Sequence, residues 1–230
     1  MRMLGLLGGM SWESTAVYYR HINELVRARL GGLHSAPLLL WSVDFAQLAE
    51  RQHAGDWDGA GAILAEAARR LEGAGAEGLV LCTNTMHRVA ETIEAAVRIP
   101  LLHIADGTAA AAHAAGVRRP ALLATRFTLE QAFYRARLAT RHGITTLVPD
   151  EAERALVHRV IYEELCQGIV RPESKAAYLA ILERLRRQGA DGVILGCTEI
   201  ALLIDQADLD LPVLDTTRLH AEAAVAWALR

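Results

Sequence analysis

Lysine is almost missing from this chain, since Lys175 is the only lysine among 24 basic residues and the others are arginine. Enzymes that use pyridoxal phosphate hold it as a Schiff base with a lysine. Lys175 lies in the first turn of a predicted helix, where a lysine side chain is normally solvated. The sequence therefore predicts a protein that works without pyridoxal phosphate, and nothing in it calls for another cofactor.

Cysteine pairs, basic clusters and long apolar runs are missing too. The three cysteines (Cys82, Cys166 and Cys197) form neither an even set nor a C-x-x-C pair. This excludes a zinc site of the C-x-x-C type, so we expect no bound metal and a reducing, cytoplasmic location. The net charge is −3, and no basic residues are interleaved with aromatic ones, which argues against nucleic acid as a partner. No apolar run is long enough to cross a bilayer, so we expect no membrane partner.

What the sequence does have is an alternation of short apolar runs with longer helical segments, which is typical of an α/β protein with parallel sheets. The pattern predicts two similar four-stranded domains, with strands at 3–7, 36–41, 78–82 and 101–104, then 121–124, 145–148, 192–195 and 213–215. It predicts helices at 14–29, 57–73, 85–97, 108–115, 128–142, 151–167, 173–188 and 218–229. Because the last strand and helix are expected to return to the first half, the predicted domains are 1–105 with 212–230, and 106–211.

One segment occurs twice. Residues 75–85 align without a gap on residues 189–199, and each copy is a glycine-flanked apolar strand that runs into a small polar loop. Such a duplication suggests two related halves that face each other. In this alignment Thr83 stands opposite Cys197, and Cys82 falls one position earlier. Ligands of open α/β sheets bind at the carboxyl ends of the strands, so these loops are the first candidates for a site.

The polar loops offer groups that suit a carboxylate. Asn84 and Thr85 either cap the helix that follows or bind a carboxylate through their side chains and N–H groups. The glycine-rich loop before Met10 and Ser11 does not have the G-x-G-x-x-G spacing of a dinucleotide site. It is either a plain tight turn or a cradle of N–H groups for an anion at a helix N-terminus.

Cys197 is the candidate with the most distinctive chemistry. It is either a small buried hydrophobic residue or a partly exposed thiol whose pKa is lowered by nearby helix N-termini. Glu199 and His87 are ionisable neighbours that either orient a thiol or cap a helix. His87 also lies one helical turn after Thr83, which makes it a candidate to take the proton of that hydroxyl group.

Three motifs taken together make the chain resemble the aspartate/glutamate racemase superfamily over its whole length. They are GLLGGMSWEST at 5–15, CTNTMH at 82–87 and GCTE at 196–199, and they are most similar to the bacterial amino-acid racemase subgroup. The resemblance implies two α/β domains related by a pseudo-twofold axis, with the active site in the cleft between them. It also implies a homodimer, and racemisation without a cofactor by one cysteine on each side of the substrate α-carbon.

The chain departs from this family pattern at its first cysteine. The family loop reads Cys-Asn-Thr, whereas here Thr83 stands between Cys82 and Asn84. If Asn84 and Thr85 keep their family places, Thr83 takes the position of the catalytic cysteine, and Cys82 points to the opposite face of the strand. The alternative register makes Cys82 catalytic and Thr83 a bulge. The internal repeat favours Thr83.

A second departure concerns the side chain of the substrate. The resemblance implies an arginine and a lysine for the distal carboxylate of aspartate. Arg51, with Gln52 beside it, follows the second strand, but the lysine position holds Cys166. Arg51 is otherwise a solvated arginine and Cys166 a helix-packing residue, so a preference for acidic substrates is weakened.

We therefore expect an amino-acid racemase for aspartate and glutamate or a broader set, with Thr83 and Cys197 as the acid–base pair. The residues expected to bind the substrate are Met10, Ser11, Arg51, Gln52, Asn84, Thr85, Thr125 and Thr198. Two other functions stay open: a decarboxylase or isomerase of the same superfamily that uses one cysteine, and a binding module that performs no chemistry.

Overall fold

The computed structural model describes residues 1–130 and 132–230, which form two compact units. The first unit contains Met1–Ile104 and His220–Arg230, and the second contains Ala105–Leu219. The domain limits predicted from the sequence remain a prediction, although strand pairing places residues 213–215 with the second unit.

The first unit has a sheet of four parallel strands in the order β2-β1-β3-β4. The strands are β1 (Leu4–Gly8), β2 (Leu38–Ser42), β3 (Gly78–Leu81) and β4 (Leu101–Leu102). The helices are α1 (Trp12–Leu30), α2 (Phe45–Ala54), α3 (Trp57–Gly73), α4 (Ala90–Ala96) and the later part of α10 (Thr216–Ala228), and a 3₁₀ helix, Thr85–Val89, precedes α4.

Side chains of β1 and β3 alternate between two apolar layers. Leu7, Leu79 and Leu81 pack in the layer that contains α2, α3 and α4. Leu6 and Val80 point to the opposite face and pack with α1 and α10. Because both faces of the sheet are covered, these strands are apolar at nearly every position, and this is why continuous apolar runs predicted them.

The second unit has a sheet of three parallel strands in the order β5-β6-β7. The strands are β5 (Ala121–Leu123), β6 (Val193–Leu195) and β7 (Val213–Asp215). The helices are α5 (Ile104–Ala114), α6 (Arg126–Glu130), α7 (Ala132–His142), α8 (Glu151–Glu163) and α9 (Pro172–Arg187), with 3₁₀ helices at Leu165–Gln167, Thr198–Leu202 and Gln206–Asp208.

The predicted fold class is confirmed as α/β with parallel sheets, but the expectation of four strands in each half is wrong for the second. The segment predicted as a strand at 145–148 forms only one bridge, between Leu147 and Ala121. The Leu147 N–H donates to the Pro120 carbonyl group at 2.9 Å. The next donor in a parallel ladder is the residue two positions later. That residue is Pro149, which has no N–H, so the pairing stops.

The strand predicted at 213–215 also needs a correction. It forms as β7, but it pairs with β6 instead of joining the first half. The Val193 N–H donates to the Pro212 carbonyl group at 2.9 Å at the start of this pairing, and the Leu214 side chain is buried. Of the segment predicted to return to the first half, 212–230, only His220–Arg230 belongs to the first unit.

Two helical segments differ from the prediction. The helix predicted over 85–97 begins as the 3₁₀ helix Thr85–Val89. The ten-residue helix α2 was not predicted; only Leu48 and Gln52 of it are buried, and the Asp44 carboxylate caps it by accepting from the Ala46 N–H at 3.1 Å. The helix predicted over 128–142 includes Gln131, which lies outside the described residues.

None of the described helices combines the length and the apolar composition needed to cross a bilayer.

Gly9 is the position where the turn after β1 depends on glycine. Its φ is +92°, and a Cβ atom there would lie 2.3 Å from the Val43 carbonyl oxygen. We expect Gly9→Ala to lower the free energy of unfolding by roughly 3 kcal/mol, because backbone strain and overpacking each cost about 1–3 kcal/mol. Gly75→Ala is the matched control, since φ is +102° but nothing lies within 4 Å of the added Cβ. The control should lose only about 1 kcal/mol. Urea unfolding measures both, and equal losses would contradict the close contact.

Candidate active site

A tight turn connects the end of β1 to α1, and the hydroxyl groups of Thr15 and Ser11 stabilise it. The Gly9 N–H donates to Thr15 Oγ1 at 2.8 Å, and this hydroxyl donates to the Ser11 carbonyl group at 2.8 Å. Ser11 also caps α1, because its Oγ accepts from the Ser14 N–H at 3.2 Å. Met10 is buried and Ser11 is half-buried. The turn therefore places the N-terminus of a long helix at the carboxyl end of β1, an arrangement that suits an anion.

Cys82 continues β3, whereas Thr83 follows its end. The Cys82 N–H donates to the Leu7 carbonyl group at 2.9 Å and so extends the pairing with β1. Its side chain is fully buried in the layer that contains Val80. Burial raises the pKa of the Cys82 thiol well above its usual range. Thr83 is half-buried.

His87 supports the backbone of Thr83. Its Nδ1 lies 2.8 Å from the Thr83 carbonyl oxygen, and its Nε2 accepts from the Ile104 N–H at 3.2 Å. A neutral imidazole has one donor and one acceptor nitrogen, so these two bonds place the proton on Nδ1. His87 therefore holds the backbone in place, and the role suggested from its spacing, as the base for the Thr83 hydroxyl group, is not supported.

Sequence reasoning missed two histidines that pack beside His87. The ring centroid of His87 lies 4.4 Å from that of His103 and 5.8 Å from that of His220. His220 Nε2 lies 2.6 Å from the Leu102 carbonyl oxygen, and its Nδ1 lies 2.9 Å from the Tyr18 hydroxyl group. His103 lies near the end of the strand predicted at 101–104, and this position is the one signal that could have found it.

Arg51 and Gln52 have different surroundings on α2. The Gln52 side chain is buried, and its amide nitrogen lies 2.8 Å from Met86 Sδ, beside the loop that follows β3. The Arg51 guanidinium is half exposed and pairs with the Asp56 carboxylate. Asp56 also accepts from the Gly59 N–H at 2.8 Å, and this bond together with Arg51 lowers the pKa of the Asp56 carboxyl group. Arg51 therefore already holds a carboxylate.

The end of β6 repeats the arrangement found at the end of β3. The Gly196 N–H donates to the Leu123 carbonyl group of β5 at 2.7 Å and so extends the strand pairing. A Cβ atom on Gly196 would lie 2.9 Å from the Ala124 Cβ, so this position faces packed side chains, as Cys82 does.

Thr83 and Cys197 consequently occupy equivalent positions in the two units. Each directly follows the last residue that pairs with the neighbouring strand, and each is half-buried. The 3₁₀ helices Thr85–Val89 and Thr198–Leu202 begin within two residues of them. The equivalence found in the sequence repeat is therefore also an equivalence of backbone position.

The thiol of Cys197 donates to a carboxylate. Its Sγ lies 3.0 Å from Glu199 Oε2. Burial, followed by the negative charge of Glu199, raises the pKa of the Cys197 thiol well above its usual range. The expectation that helix N-termini lower this pKa is therefore wrong, because desolvation and a close carboxylate outweigh them. Cys197 rests as a thiol next to a proton acceptor.

Tyr162 and Cys166 lie within electrostatic range of Cys197. Burial is the main cause that raises the pKa of Tyr162 to about 12, and Cys197 is the next group that contributes. Cys166 adds to the raised pKa of the Cys197 thiol, and its own side chain is exposed. The structure therefore places the residue at the family's lysine position near the candidate base.

Hydroxyl groups follow the other strands of the second unit. Thr125, two residues beyond the end of β5, has a buried Oγ1 with no hydrogen-bond partner in the described part of the chain. Thr198, after β6, has its hydroxyl group 3.2 Å from that of Thr217, which follows β7. Buried polar atoms are nearly always hydrogen-bonded, so a bare hydroxyl at the carboxyl end of a sheet points to a ligand contact.

Within residues 1–130 and 132–230, no group of His, Cys, Asp and Glu side chains is arranged to hold a metal ion.

The three thiols should react with iodoacetamide at different rates. We expect exposed Cys166 to react first, Cys197 more slowly, and buried Cys82 only after unfolding, because thiolate is the reactive form and burial both blocks access and raises the pKa. Peptide mass mapping over a pH series checks the order. The matched variant is Glu199→Gln, which removes the neighbouring charge and should move the pH profile of Cys197 to lower pH. An unchanged profile would show that Glu199 does not act on the thiol.

The comparisons with known proteins agree on one family. A family model for Asp/Glu/Hydantoin racemase matches residues 7–224. The broad specificity amino-acid racemase RacX of Bacillus subtilis (strain 168) is 24% identical over 99% of this chain and 98% of its own length.

Solved structures give the same result. A Yersinia pestis protein assigned as an Asp/Glu racemase is 53% identical, with a TM-score of 0.96 and full coverage of both chains. An aspartate racemase homologue from Pyrococcus horikoshii OT3 is 33% identical, with a TM-score of 0.90 and full coverage of both chains. Because the family pattern spans nearly the whole chain, and a relative shares more than half of its residues, this protein belongs to the Asp/Glu/hydantoin racemase family.

Proposed function

We propose that this protein is a racemase that interconverts L- and D-amino acids without a cofactor, by removing a proton from the α-carbon and returning one from the opposite side. Family membership supports the reaction class, and the names of the relatives support aspartate, glutamate or a broader set of substrates. The observation that carries the proposal is the pair of equivalent strand-end positions held by Thr83 and Cys197. In this proposal the substrate binds with one of them on each side of its α-carbon, and the two domains are related by a pseudo-twofold axis.

Cys197 and Glu199 supply the stronger base. In the resting state the thiol donates to the carboxylate over 3.0 Å. To accept the α-proton, the thiol first gives its own proton to Glu199, and the resulting thiolate takes the proton from carbon. In the reverse direction the Cys197 thiol protonates the carbanion. A base and its proton acceptor within hydrogen-bond reach of each other is the arrangement that nucleophile and base activation requires.

Thr83 is assigned to the opposite face of the substrate, where its hydroxyl group is a poorer base than the Cys197 thiol. A threonine hydroxyl is a poor base unless a neighbour takes its proton, and both His87 nitrogens are bonded to backbone groups. The hydroxyl can still donate a proton to a carbanion. The proposal therefore includes unequal faces, with faster deprotonation of the enantiomer whose α-hydrogen points at Cys197.

The negative charge that builds on the substrate carboxylate needs hydrogen-bond donors. We assign this role to Asn84, Thr85, Thr125, Thr198 and the N–H groups near Met10 and Ser11. The bare hydroxyl group of Thr125 supports the assignment, because it can donate to the substrate without giving up a bond. Donors already in place stabilise such charge strongly.

Recognition of the substrate side chain is the second point at which this chain departs from the family pattern. Arg51 can receive a distal carboxylate only by sharing or leaving Asp56, and Gln52 is the neutral donor beside it. Cys166 carries no positive charge to replace the family lysine. This combination supports a set of substrates that extends beyond aspartate and glutamate. Family membership also supports a homodimer as the working assembly.

A decarboxylase or isomerase of the same superfamily is the second candidate. It is supported by the finding that only one of the two equivalent positions holds a thiol. A protein that binds amino acids without chemistry is the third. Incubating single enantiomers in deuterated water separates the three, because exchange at the α-carbon, release of carbon dioxide, or neither of them is the respective outcome.

The first test of the racemase proposal replaces the thiols one at a time. We expect Cys197→Ala to slow deuterium exchange at the α-carbon by about 10²–10⁴-fold, the usual contribution of a general base. Cys166→Ala removes a nearby exposed thiol and should keep most of the activity. Equal rates for the two variants, measured by proton NMR of the substrate, would refute the role of Cys197.

The second test decides between the two registers at the first loop. Thr83→Ala should reduce inversion of configuration by about 10²-fold, while exchange at the face of Cys197 continues. Thr83→Cys should reduce the difference between enantiomers, since it places thiols on both faces. Cys82→Ala should leave the exchange rates of both enantiomers nearly unchanged. An inactive Cys82→Ala together with a fully active Thr83→Ala would mean that Cys82 is the second base.

A further inference from the structure

Two of the three cysteines lie on neighbouring elements of the second unit. Cys166 is in the 3₁₀ helix Leu165–Gln167, and Cys197 directly precedes the 3₁₀ helix Thr198–Leu202. These two short helices contact each other. The fold therefore brings together two thiols that are far apart in the sequence.

Packing fixes the backbone on both sides of this pair. Leu165 of the first short helix and Ile200 of the second are buried in the same apolar cluster, and Cys197 packs against that cluster. The Gly168 N–H donates to the Leu165 carbonyl group at 3.0 Å and closes the turn that contains Cys166. A disulfide requires Cα atoms within about 7 Å of each other, a separation that elements in direct contact provide.

The electrostatic effects on this part of the chain agree with that placement. Burial and the charge of Glu199 are the main causes that raise the pKa of the Cys197 thiol, and Cys166 is a further contributor. Tyr162 lies one helical turn before Cys166. Its pKa is raised mainly by burial, then by Cys197 and then by Cys166. Both thiols therefore act on one side chain between them in the same region.

The two thiols differ in exposure in the way that a redox pair requires. Cys166 is exposed, whereas Cys197 is half-buried with its Sγ 3.0 Å from Glu199 Oε2. Thiols that react with oxidants are accessible, and a second thiol close by completes the disulfide. The Glu199 carboxylate can take the Cys197 proton and so produce the thiolate that attacks.

We infer that Cys166 and Cys197 form a reversible disulfide when the protein meets a peroxide. Hydrogen peroxide oxidises the Cys166 thiol to a sulfenic acid and is itself reduced to water. The Cys197 thiolate then attacks the sulfenic sulfur, the S–O bond breaks, and the hydroxide leaves as water with the proton held by Glu199. A dithiol such as dithiothreitol reduces the disulfide and restores both thiols.

The disulfide would switch off the candidate base. Oxidised Cys197 has neither a thiol proton to donate nor a thiolate to accept one, so exchange at the substrate α-carbon stops. This consequence rests on the proposed function, whereas the disulfide itself does not. The family pattern has a lysine at the position of Cys166, and a lysine forms no disulfide. The switch therefore depends on a departure that this chain makes from its family.

Peptide mapping without reduction tests the inference on the whole chain. Brief treatment with hydrogen peroxide, followed by iodoacetamide, should give a linked pair of peptides that contain Cys166 and Cys197. Dithiothreitol should separate the pair, and fully buried Cys82 should remain a thiol. The matched control is Cys166→Ser, which should form no linked pair. Because Cys166 is exposed, this variant should fold as the wild type does, and circular dichroism checks this.

Deuterium exchange at the substrate α-carbon is measured on the same samples. Peroxide should abolish most of the exchange by the wild type, and dithiothreitol should restore it. Cys166→Ser should be inactivated about 10-fold more slowly or less, because a half-buried thiol with a raised pKa holds little reactive thiolate. The peptide map is informative even if the chain catalyses no exchange, so failure of the proposed function and failure of the disulfide appear in different measurements.

Two results would overturn the inference. One is oxidation of Cys166 to a sulfinic acid, or to a disulfide between two chains, while Cys197 stays open to alkylation. The other is a wild type and a Cys166→Ser variant that lose exchange activity at the same rate, with no linked pair of peptides in either.

Discussion

Parallel pairing of β3 with β1, and of β6 with β5, decides which side chain each unit offers for chemistry. The Cys82 and Gly196 N–H groups make the last backbone bonds to the neighbouring strand. Side chains alternate between the two faces of a strand, so the residues that follow Cys82 and Gly196 are directed to the opposite face. A slip of one residue would exchange the two sides, and the dense packing around both positions prevents it. The identity of each candidate acid or base therefore depends on a backbone register.

The protonation state of Cys197 then determines which acid–base steps are available at this position. A thiol with a raised pKa next to a carboxylate keeps its proton at rest, and Thr83 keeps its proton in any case. Both faces of the proposed site therefore begin with a proton. The proposed reaction requires one of them to lose its proton first, and a carboxylate that can accept it, Glu199, lies beside Cys197. In the proposed reaction, strong stabilisation of the developing charge on the substrate is correspondingly more important, which gives a physical reason for the hydroxyl and amide donors that follow the strands of each unit.

Much of this fold was predictable because helices cover both faces of each sheet. Runs without polar residues located β1, β3, β5 and β6, and the internal repeat gave the register of the two loops. The fourth predicted strand of the second unit forms only one bridge, because Pro149 has no N–H group to continue the pairing. The pattern of apolar residues does not reveal a missing hydrogen-bond donor. The partner of β7 was assigned wrongly because a strand's own residues do not specify its neighbour.

The site was predictable in its positions but not in its protonation. The sequence placed Glu199 two residues after Cys197, but the sign of the pKa shift depends on a 3.0 Å contact and on burial. In the same way, spacing alone suggested that His87 could serve the Thr83 hydroxyl group, whereas the folded chain uses both ring nitrogens for the backbone. His220 could not be connected with this region at all, since it is 118 residues away from its partner Leu102.

Helix α1 determines the geometry of the turn after β1. Thr15 Oγ1 accepts from the Gly9 N–H in this turn, and the same hydroxyl group donates to the Ser11 carbonyl group. Further along, α1 is held in the core by Ile22 and Val26, which are fully buried. The N–H groups near Met10 and Ser11, which we propose as donors to a substrate anion, are therefore positioned by the packing of a whole helix and not by the turn alone.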